Sequence, residues 1–199
     1  GTFAPFTAVK IPGNDHVVAF LADEASQGAT DLNDPGLFTQ AWRDAQSQCS
    51  PAADGDSTDQ VLFTLPYQSW LAGVTTSPIN TGLTGQDRVV AMDGYVGTLV
   101  PELEANCDLN VDADTSDRIF RWTSTVLPIV PPSTATDLHA VATMATESQG
   151  VAVFDGEWVI AVDEMLDSDI LNNDGLQDDV LLAHIPPTGA TSWEFTMGD

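Results

Sequence analysis

Basic residues are scarce in this chain. Only five of its 199 residues are lysine or arginine, against 30 acidic residues, so the formal net charge is −25. Such a surface repels phosphate groups, which excludes nucleic acid as an expected partner and disfavours anionic membrane surfaces. Cations are the partners that this charge favours.

Long apolar runs are missing as well. No stretch reaches the ~18 consecutive apolar residues of a membrane-spanning helix, so we expect no membrane insertion. Short apolar runs such as "VVAF", "VLFTL" and "EWVIAV" recur, and 43% of the residues are apolar, which indicates a folded core rather than acidic disorder. The chain opens at "GTFAPF" without a methionine, and we interpret it as a processed or trimmed product. The near absence of lysine favours an extracellular or cell-surface location.

Cysteine and histidine are equally sparse. Cys49 and Cys107 are compatible with one disulfide or with two free thiols, and side-by-side packing of neighbouring repeats would favour the disulfide. The histidines are scattered, and no nucleophile elbow, HExxH motif or phosphate-binding loop is present. Among 30 acids some pair always has glycosidase spacing by chance, so we predict no enzymatic activity.

The chain contains three copies of one pattern, in which a strand, an acidic loop and a second strand follow each other. Val17, Val89 and Val159 align the copies. Runs of β-branched and aromatic residues bounded by Asp, Gly and Pro predict three or four strands per copy, and Asp155-Gly156 predicts a hairpin turn. A single domain, 1–199, then consists of repeats at about 15–86, 87–150 and 151–199, with an insertion at about 34–53 that has helical periodicity.

Each copy has the size of one antiparallel propeller blade. We therefore predict an all-β fold of antiparallel propeller-like repeats in three degenerate copies, with a β-sandwich as the alternative. The five tryptophans are expected in the core, with a carbohydrate-binding platform as the second interpretation.

The acidic loops place oxygen donors at alternating positions, the arrangement that surrounds Ca²⁺ with hard ligands. Zn²⁺ is disfavoured because no histidine lies nearby in sequence. In loops of this type the fifth position supplies a side chain and the seventh often a backbone carbonyl. Two or three Ca²⁺ sites are predicted. The candidate ligands are Asp31, Asn33, Asp54, Asp56 and Asp59 in the first copy, Asp108, Asn110, Asp112, Asp114 and Asp117 in the second, and Asp169, Asn172, Asp174 and Asp178 in the third, where Asp178 is preferred over Asp179.

Two glutamates follow equivalent strands, Glu24 in the first copy and Glu164 in the third. As a feature of the repeat they are predicted to be structural. Either they supply an extra calcium ligand, or they accept hydrogen bonds at the end of the strand.

The pattern of a strand, a glutamate, "DLNxDGDxxD" and "VLxxx" resembles the calcium-loop β-propeller repeats of secreted bacterial proteins, and more distantly the integrin-type blades. The second loop departs from an EF-hand, because Ala113 replaces the turn glycine and Ile119 replaces the bidentate glutamate. The resemblance covers about half of the chain. It implies an extracellular all-β protein with structural calcium.

From these features we expect a secreted, calcium-stabilised structural or adhesive repeat protein that self-associates, as in a surface fibre, or binds another cell-surface protein or glycan. The alternative is a fragment of a propeller-type hydrolase or lyase acting on polysaccharide. The apolar ends of the chain, "TFAPFTAVKIP" and "TSWEFTMGD", predict terminal strands that complete either their own sheets or those of a neighbour.

Overall fold

The structure is a computed structural model of the 199-residue chain. It describes residues 6–10, 16–28, 31–32, 56–66, 73, 77–105, 108–110, 112–125, 141, 150–166, 168, 171, 175–187 and 192–194.

Within these residues the fold is all-β, as predicted, and consists of three small antiparallel sheets. Sheet 1 contains β1 (Phe6–Lys10), β2 (His16–Asp23), β3 (Gln60–Pro66) and β4 (Ile79–Thr84). Sheet 2 contains β5 (Gln86–Met92), β6 (Tyr95–Pro101) and β7 (Arg118–Ser124). Sheet 3 contains β8 (Val151–Phe154), β9 (Glu157–Asp163), β10 (Val180–Ile185) and β11 (Ser192–Glu194). The described helices are a 3₁₀ turn at Ala25–Gln27 and the one-turn helix α1 at Glu102–Ala105.

In each sheet every strand pairs with the next strand along the chain. The predicted hairpin turn is confirmed, because Asp155 and Gly156 both have positive φ (49° and 81°), as a two-residue hairpin requires. The described parts of both chain ends complete their own sheets, since β1 pairs with β2 and β11 with β10.

The three sheets pack face to face, with sheet 2 in the middle. One apolar cluster joins sheets 1 and 2 and consists of Ala19, Leu21, Leu62, Leu83, Val89 and Val96. A larger cluster joins sheets 2 and 3 and includes Leu99, Phe120, Trp122, Trp158, Ile160, Ala183 and Ile185. The described residues contain three stacked sheets, and these do not close into a barrel or a ring.

Two of the tryptophans are core residues, as expected. The ring of Phe120 packs edge-on against Trp158 with centroids 5.0 Å apart, and it stacks on Trp122 at 5.8 Å. Trp158 is fully buried and Trp122 is nearly so. The buried aromatic rings therefore hold sheets 2 and 3 together.

The alignment of the second copy through Val89 is wrong. Val17 lies in β2 and Val159 in β9, the strands that precede acidic loops, whereas Val89 lies in β5, one strand too early. The strand that precedes the second loop is β6. The error arose because "DHVVAF" and "DRVVAM" look alike although they occupy different strands of the repeat. Strand β1 of sheet 1 lies ahead of residue 15, near which the first copy was predicted to begin.

Several predictions fall outside the described residues. These are the insertion at about 34–53 with its helix, the pairing of Cys49 with Cys107, and the positions of Trp42, Trp70 and His139. Within the described part of the chain, no helix has the length and apolarity that crossing a bilayer demands.

Gly97 in β6 tests the close packing of β6 on β7 within sheet 2, at the ring of Phe120 that also contacts Trp158 of sheet 3. A Cβ added there would lie 2.8 Å from the carbonyl oxygen of Arg121 and would overlap the ring of Phe120. We expect Gly97→Ala to lower the free energy of unfolding by about 3 kcal/mol, the upper range for overpacking. Urea denaturation with calcium present measures this change.

Gly28→Ala is the control, because Gly28 has φ +90° and open space around it. It should lose only about 1 kcal/mol from left-handed backbone strain. If Gly97→Ala lowers the free energy of unfolding no more than Gly28→Ala does, Gly97 is not closely packed against Phe120 and Arg121.

Candidate metal centres

A fully buried glutamate follows one central strand of each sheet. Glu24 follows β2, Glu102 follows β6 and Glu164 follows β9, and all three have 0% exposure. Buried carboxylates are costly unless they accept hydrogen bonds. The sequence pattern pointed to Glu24 and Glu164 but not to Glu102, because the second copy was aligned one strand too early.

The three carboxylates hold the backbone of the acidic loops. In each repeat one carboxylate oxygen (Oε1) accepts the N–H of a loop leucine, from Leu32 to Glu24, from Leu109 to Glu102 and from Leu171 to Glu164. The second oxygen accepts the N–H of Asp59 in the first repeat (3.2 Å) and of Asp117 in the second (3.4 Å). The glutamate therefore ties the beginning of each of these two loops to its end.

A backbone hydrogen bond closes each loop at the same place. The N–H of Glu24 donates to the carbonyl of Asp59 (3.0 Å), that of Glu102 to Asp117 (2.9 Å) and that of Glu164 to Asp179 (3.1 Å). Asp179 is thus the third-repeat equivalent of Asp59 and Asp117. Asp178, which the sequence favoured, lies one residue earlier and is exposed.

The second loop coils through a series of side-chain-to-backbone hydrogen bonds. The Asp108 carboxylate accepts the N–H groups of Asp112 (3.2 Å) and Ala113 (3.0 Å), and Asp112 accepts the N–H of Asp114 (3.0 Å). Ala113 has φ +80°, and Gly175 at the equivalent position of the third loop has φ +91°. Ala113 therefore adopts the turn conformation for which glycine is the usual residue.

Two carboxylate clusters result, one in each of the first two loops. Glu24, Asp56 and Asp59 form the first, and Glu102, Asp114 and Asp117 form the second. In each cluster one oxygen from every residue lies within 4.8 Å of the others. The members of the two clusters are equivalent by their places in the repeat, and either cluster could hold a metal ion.

The second loop contains carboxylate oxygens with unmet bonding capacity. Oδ1 of Asp117 and Oδ2 of Asp112 are buried, and neither accepts a hydrogen bond. Asp117 is only 3% exposed. An oxygen in this state is costly to bury, and coordination of a cation would relieve the cost.

The electrostatics of the second cluster also favour a bound cation. Burial, reinforced by the charges of Asp112, Asp114 and Glu102, raises the pKa of Asp117 from 3.8 to about 7. Burial also raises the pKa of Glu102, although the hydrogen bonds that its carboxylate accepts from backbone N–H groups oppose the shift. Negative charge is therefore unfavourable at the centre of this cluster without a compensating cation.

The third member of each cluster is exposed and preorganised. Asp56 accepts the N–H and hydroxyl of Thr58 (both 2.8 Å), and Asp114 accepts the same groups of Ser116 (2.7 and 2.8 Å). These hydrogen bonds lower the pKa of both aspartates. Their carboxylates are ionised and oriented toward the cluster before any ligand arrives. The side chain of Asp114, and not only its carbonyl, therefore belongs to the candidate centre.

The third loop lacks this carboxylate. Counting back from the loop-closing residues, Leu176 stands where the other loops have Asp56 and Asp114. Leu176 is 57% exposed, so its place in the loop is not explained by burial. Within the described residues the third loop contributes no carboxylate cluster.

The remaining predicted ligands divide into two groups. Asp31 and Asn110 are half-buried in their loops, and Asn110 donates to Oδ2 of Asp117 (3.3 Å). The others lie outside the described residues and are Asn33, Asp54, Asp169, Asn172 and Asp174.

Comparison with known proteins adds no relative. No family model, curated protein or solved structure matches the chain. The residues and their geometry are therefore the basis for assigning a function.

The raised pKa of Asp117 predicts how pH affects the cation-free protein. Between about pH 4 and pH 7 the folded state holds a proton on Asp117 that the unfolded chain releases. The free energy of unfolding should therefore increase as pH falls from 8 toward 5, because the folded state binds more protons. Urea denaturation after treatment with a chelating resin measures this dependence.

Asp117→Asn should remove part of this pH dependence and stabilise the cation-free protein at pH 8. Asp56→Asn is the control, since it removes a carboxylate of lowered pKa in the other loop, and the dependence should persist. Equal pH dependence in the wild type and Asp117→Asn would contradict the electrostatic assignment.

Proposed function

We propose that this chain is a secreted, calcium-stabilised structural or adhesive repeat protein. The observation that carries the proposal is the recurrence of one buried carboxylate cluster at equivalent positions of two repeats. Ordinary acidic turns have no reason to bury a glutamate and an aspartate together. A cation held between β2 and β3, or between β6 and β7, would join two neighbouring strands of a sheet.

Calcium is the cation that fits the donors best. Both clusters consist of carboxylate oxygens, which suit hard cations, and the coiled loop adds carbonyl and amide oxygens nearby. Ca²⁺ accepts six to eight such ligands in flexible geometry, whereas Mg²⁺ demands an octahedron and keeps several waters. Zn²⁺ would favour nitrogen or sulfur donors.

An extracellular or cell-surface location agrees with this chemistry. Calcium sites of extracellular modules work at dissociation constants of about 10⁻⁴–10⁻³ M, so partly exposed clusters suffice where calcium is abundant. Binding also neutralises some of the formal charge of −25, which otherwise opposes the compact state.

A structural role explains the site residues better than catalysis does. The buried glutamates accept hydrogen bonds from loop backbone, and Trp122 and Trp158 are in the core rather than on a sugar-binding surface. We further propose that the three face-to-face sheets are blades of a propeller-like array. This interpretation is supported by the three- or four-stranded meander that each sheet forms.

Isothermal titration calorimetry tests the metal assignment. The wild type should bind two Ca²⁺ per chain, and Glu102→Gln should bind one. The amide oxygen of glutamine can still accept from Leu109 and Asn110, so the loop keeps much of its frame while the cluster loses a charged ligand.

Glu104→Gln is the matched control, since it removes the same charge two residues away in α1 and should leave two sites. A wild type that binds no calcium would refute the proposal. Two intact sites in Glu102→Gln would show that Glu102 is not a ligand.

The third loop provides a complementary gain-of-binding prediction. Leu176→Asp restores the carboxylate that Asp56 and Asp114 provide elsewhere, and Leu176 is exposed enough to accept the change. Stoichiometry should rise from two to three Ca²⁺ per chain. Leu103→Asp, at another exposed leucine, should leave it at two. A wild type that already binds three would show that Leu176 does not prevent binding.

A further inference from the structure

The contact between sheets 1 and 2 and the contact between sheets 2 and 3 use equivalent faces of the sheets. Strand residues alternate between two faces of a sheet, and we call the face directed toward the next sheet along the chain the forward face and the opposite one the back face. Ala19, Leu21 and Leu62 form the forward face of sheet 1, and they pack on Val96 of sheet 2. Leu99, Phe120 and Trp122 form the forward face of sheet 2, and they pack on the back face of sheet 3.

Equivalent residues can be identified by counting from the buried glutamates. The residue three before the glutamate is Leu21 in sheet 1 and Leu99 in sheet 2, and both are on the forward face. The corresponding residue of sheet 3 is Ala161. The residue six positions before the glutamate is Val96 in sheet 2 and Trp158 in sheet 3, and both are on the back face.

These equivalences identify the forward face of sheet 3. Within the described residues no fourth sheet lies against this face. Four of its central members are apolar and the fifth is a histidine, and paired strand residues place them side by side. They are Val159, Ala161, Val180, Leu182 and His184. The histidine lies 3.4 Å from the carboxylate of Glu157 at the margin of the same face. Val180 is 43% exposed, and Val159 and Leu182 are half-buried.

The back face of sheet 1 is apolar as well, and β2 and β3 supply it in matched pairs. Its members are Val18, Phe20, Ala22, Val61, Phe63 and Leu65. Phe20 and Phe63 stack with centroids 5.9 Å apart, yet both rings are only half-buried. None of these six side chains is charged, in a chain where 30 residues are acidic. The central strands β2 and β3 therefore carry no acidic side chain at these positions of the back face.

We propose that the forward face of sheet 3 binds the back face of sheet 1 of a second copy of this chain. The two faces belong to the same equivalent sets that already pack against each other twice inside the molecule. The intermolecular contact would continue the stack with the same kind of packing. A second copy is the occupant because each chain offers both halves of the contact.

Such a contact is head-to-tail, because different surfaces of the two copies meet. Head-to-tail contacts produce a closed ring when the rotation closes and an open filament when it does not. The terminal strands are not needed for it, since β1 and β11 pair within their own sheets. The proposal deepens the structural function proposed above by naming the partner and the surface, but it does not require the carboxylate clusters to bind calcium.

Analytical ultracentrifugation of the wild type in calcium tests the proposal. The mass should rise above the 21.1 kDa of one chain as the concentration approaches about 100 µM, a range that detects micromolar dissociation constants. Val180→Glu introduces a charge on the forward face and should keep the chain monomeric. Leu65→Glu should do the same from the back face.

A mixture of the two variants identifies the contact as head-to-tail. Leu65→Glu retains an intact forward face and Val180→Glu retains an intact back face, so the mixture should form a 1:1 dimer and nothing larger. Met165→Glu is the matched control, because it adds the same charge after β9 at an exposed position outside both faces. It should assemble like the wild type.

Circular dichroism and calcium stoichiometry of every variant separate loss of assembly from loss of folding or of cation binding. A monomeric wild type, an assembling Val180→Glu chain, or variants that are folded but do not pair when mixed would each overturn the proposal. Calcium binding without assembly would overturn only the contact, and assembly without calcium binding would overturn only the metal assignment.

Discussion

The fold depends on a buried glutamate at the end of one central strand in each sheet. Its carboxylate accepts backbone N–H groups of a loop that is too polar to have a core of its own, and its own N–H closes that loop. An acid with 0% exposure is costly to bury, so these hydrogen bonds must compensate. The same three residues thereby determine where the acidic loops lie relative to the strands.

Placing the loops in this way concentrates negative charge. In the second repeat, Glu102 and Asp117 are both buried and within reach of Asp114, and the pKa values of the two buried acids rise. Proton binding and cation binding are alternative ways to relieve the same repulsion. A cation does so while leaving every carboxylate charged, and it adds ligand bonds between the strands.

The sequence was sufficient for local features. Runs of β-branched and aromatic residues and the Asp155-Gly156 pair correctly predicted the all-β class and one hairpin, because both signals come from neighbouring residues. The correct alignment of the three copies was harder to predict. Val89 matched Val17 by composition, and only strand pairing shows that they occupy different strands. Glu102 was missed for the same reason, since a glutamate that follows an equivalent strand can be identified only when the strands are aligned correctly. Asp179 rather than Asp178 became the third equivalent once the loop-closing hydrogen bond was known.

The first loop shows what closure by a glutamate permits. Glu24 and Asp59 are 35 positions apart, whereas Glu102 and Asp117 are 15 apart, yet both pairs make the same backbone hydrogen bond. Loop-closure entropy grows only with the logarithm of length, so the longer loop costs less than about 1 kcal/mol more. The interior of an acidic loop is consequently a position where the chain tolerates added sequence. A peptide epitope or a small domain inserted at the corresponding point of the second or third loop would be displayed from a base that a backbone hydrogen bond closes.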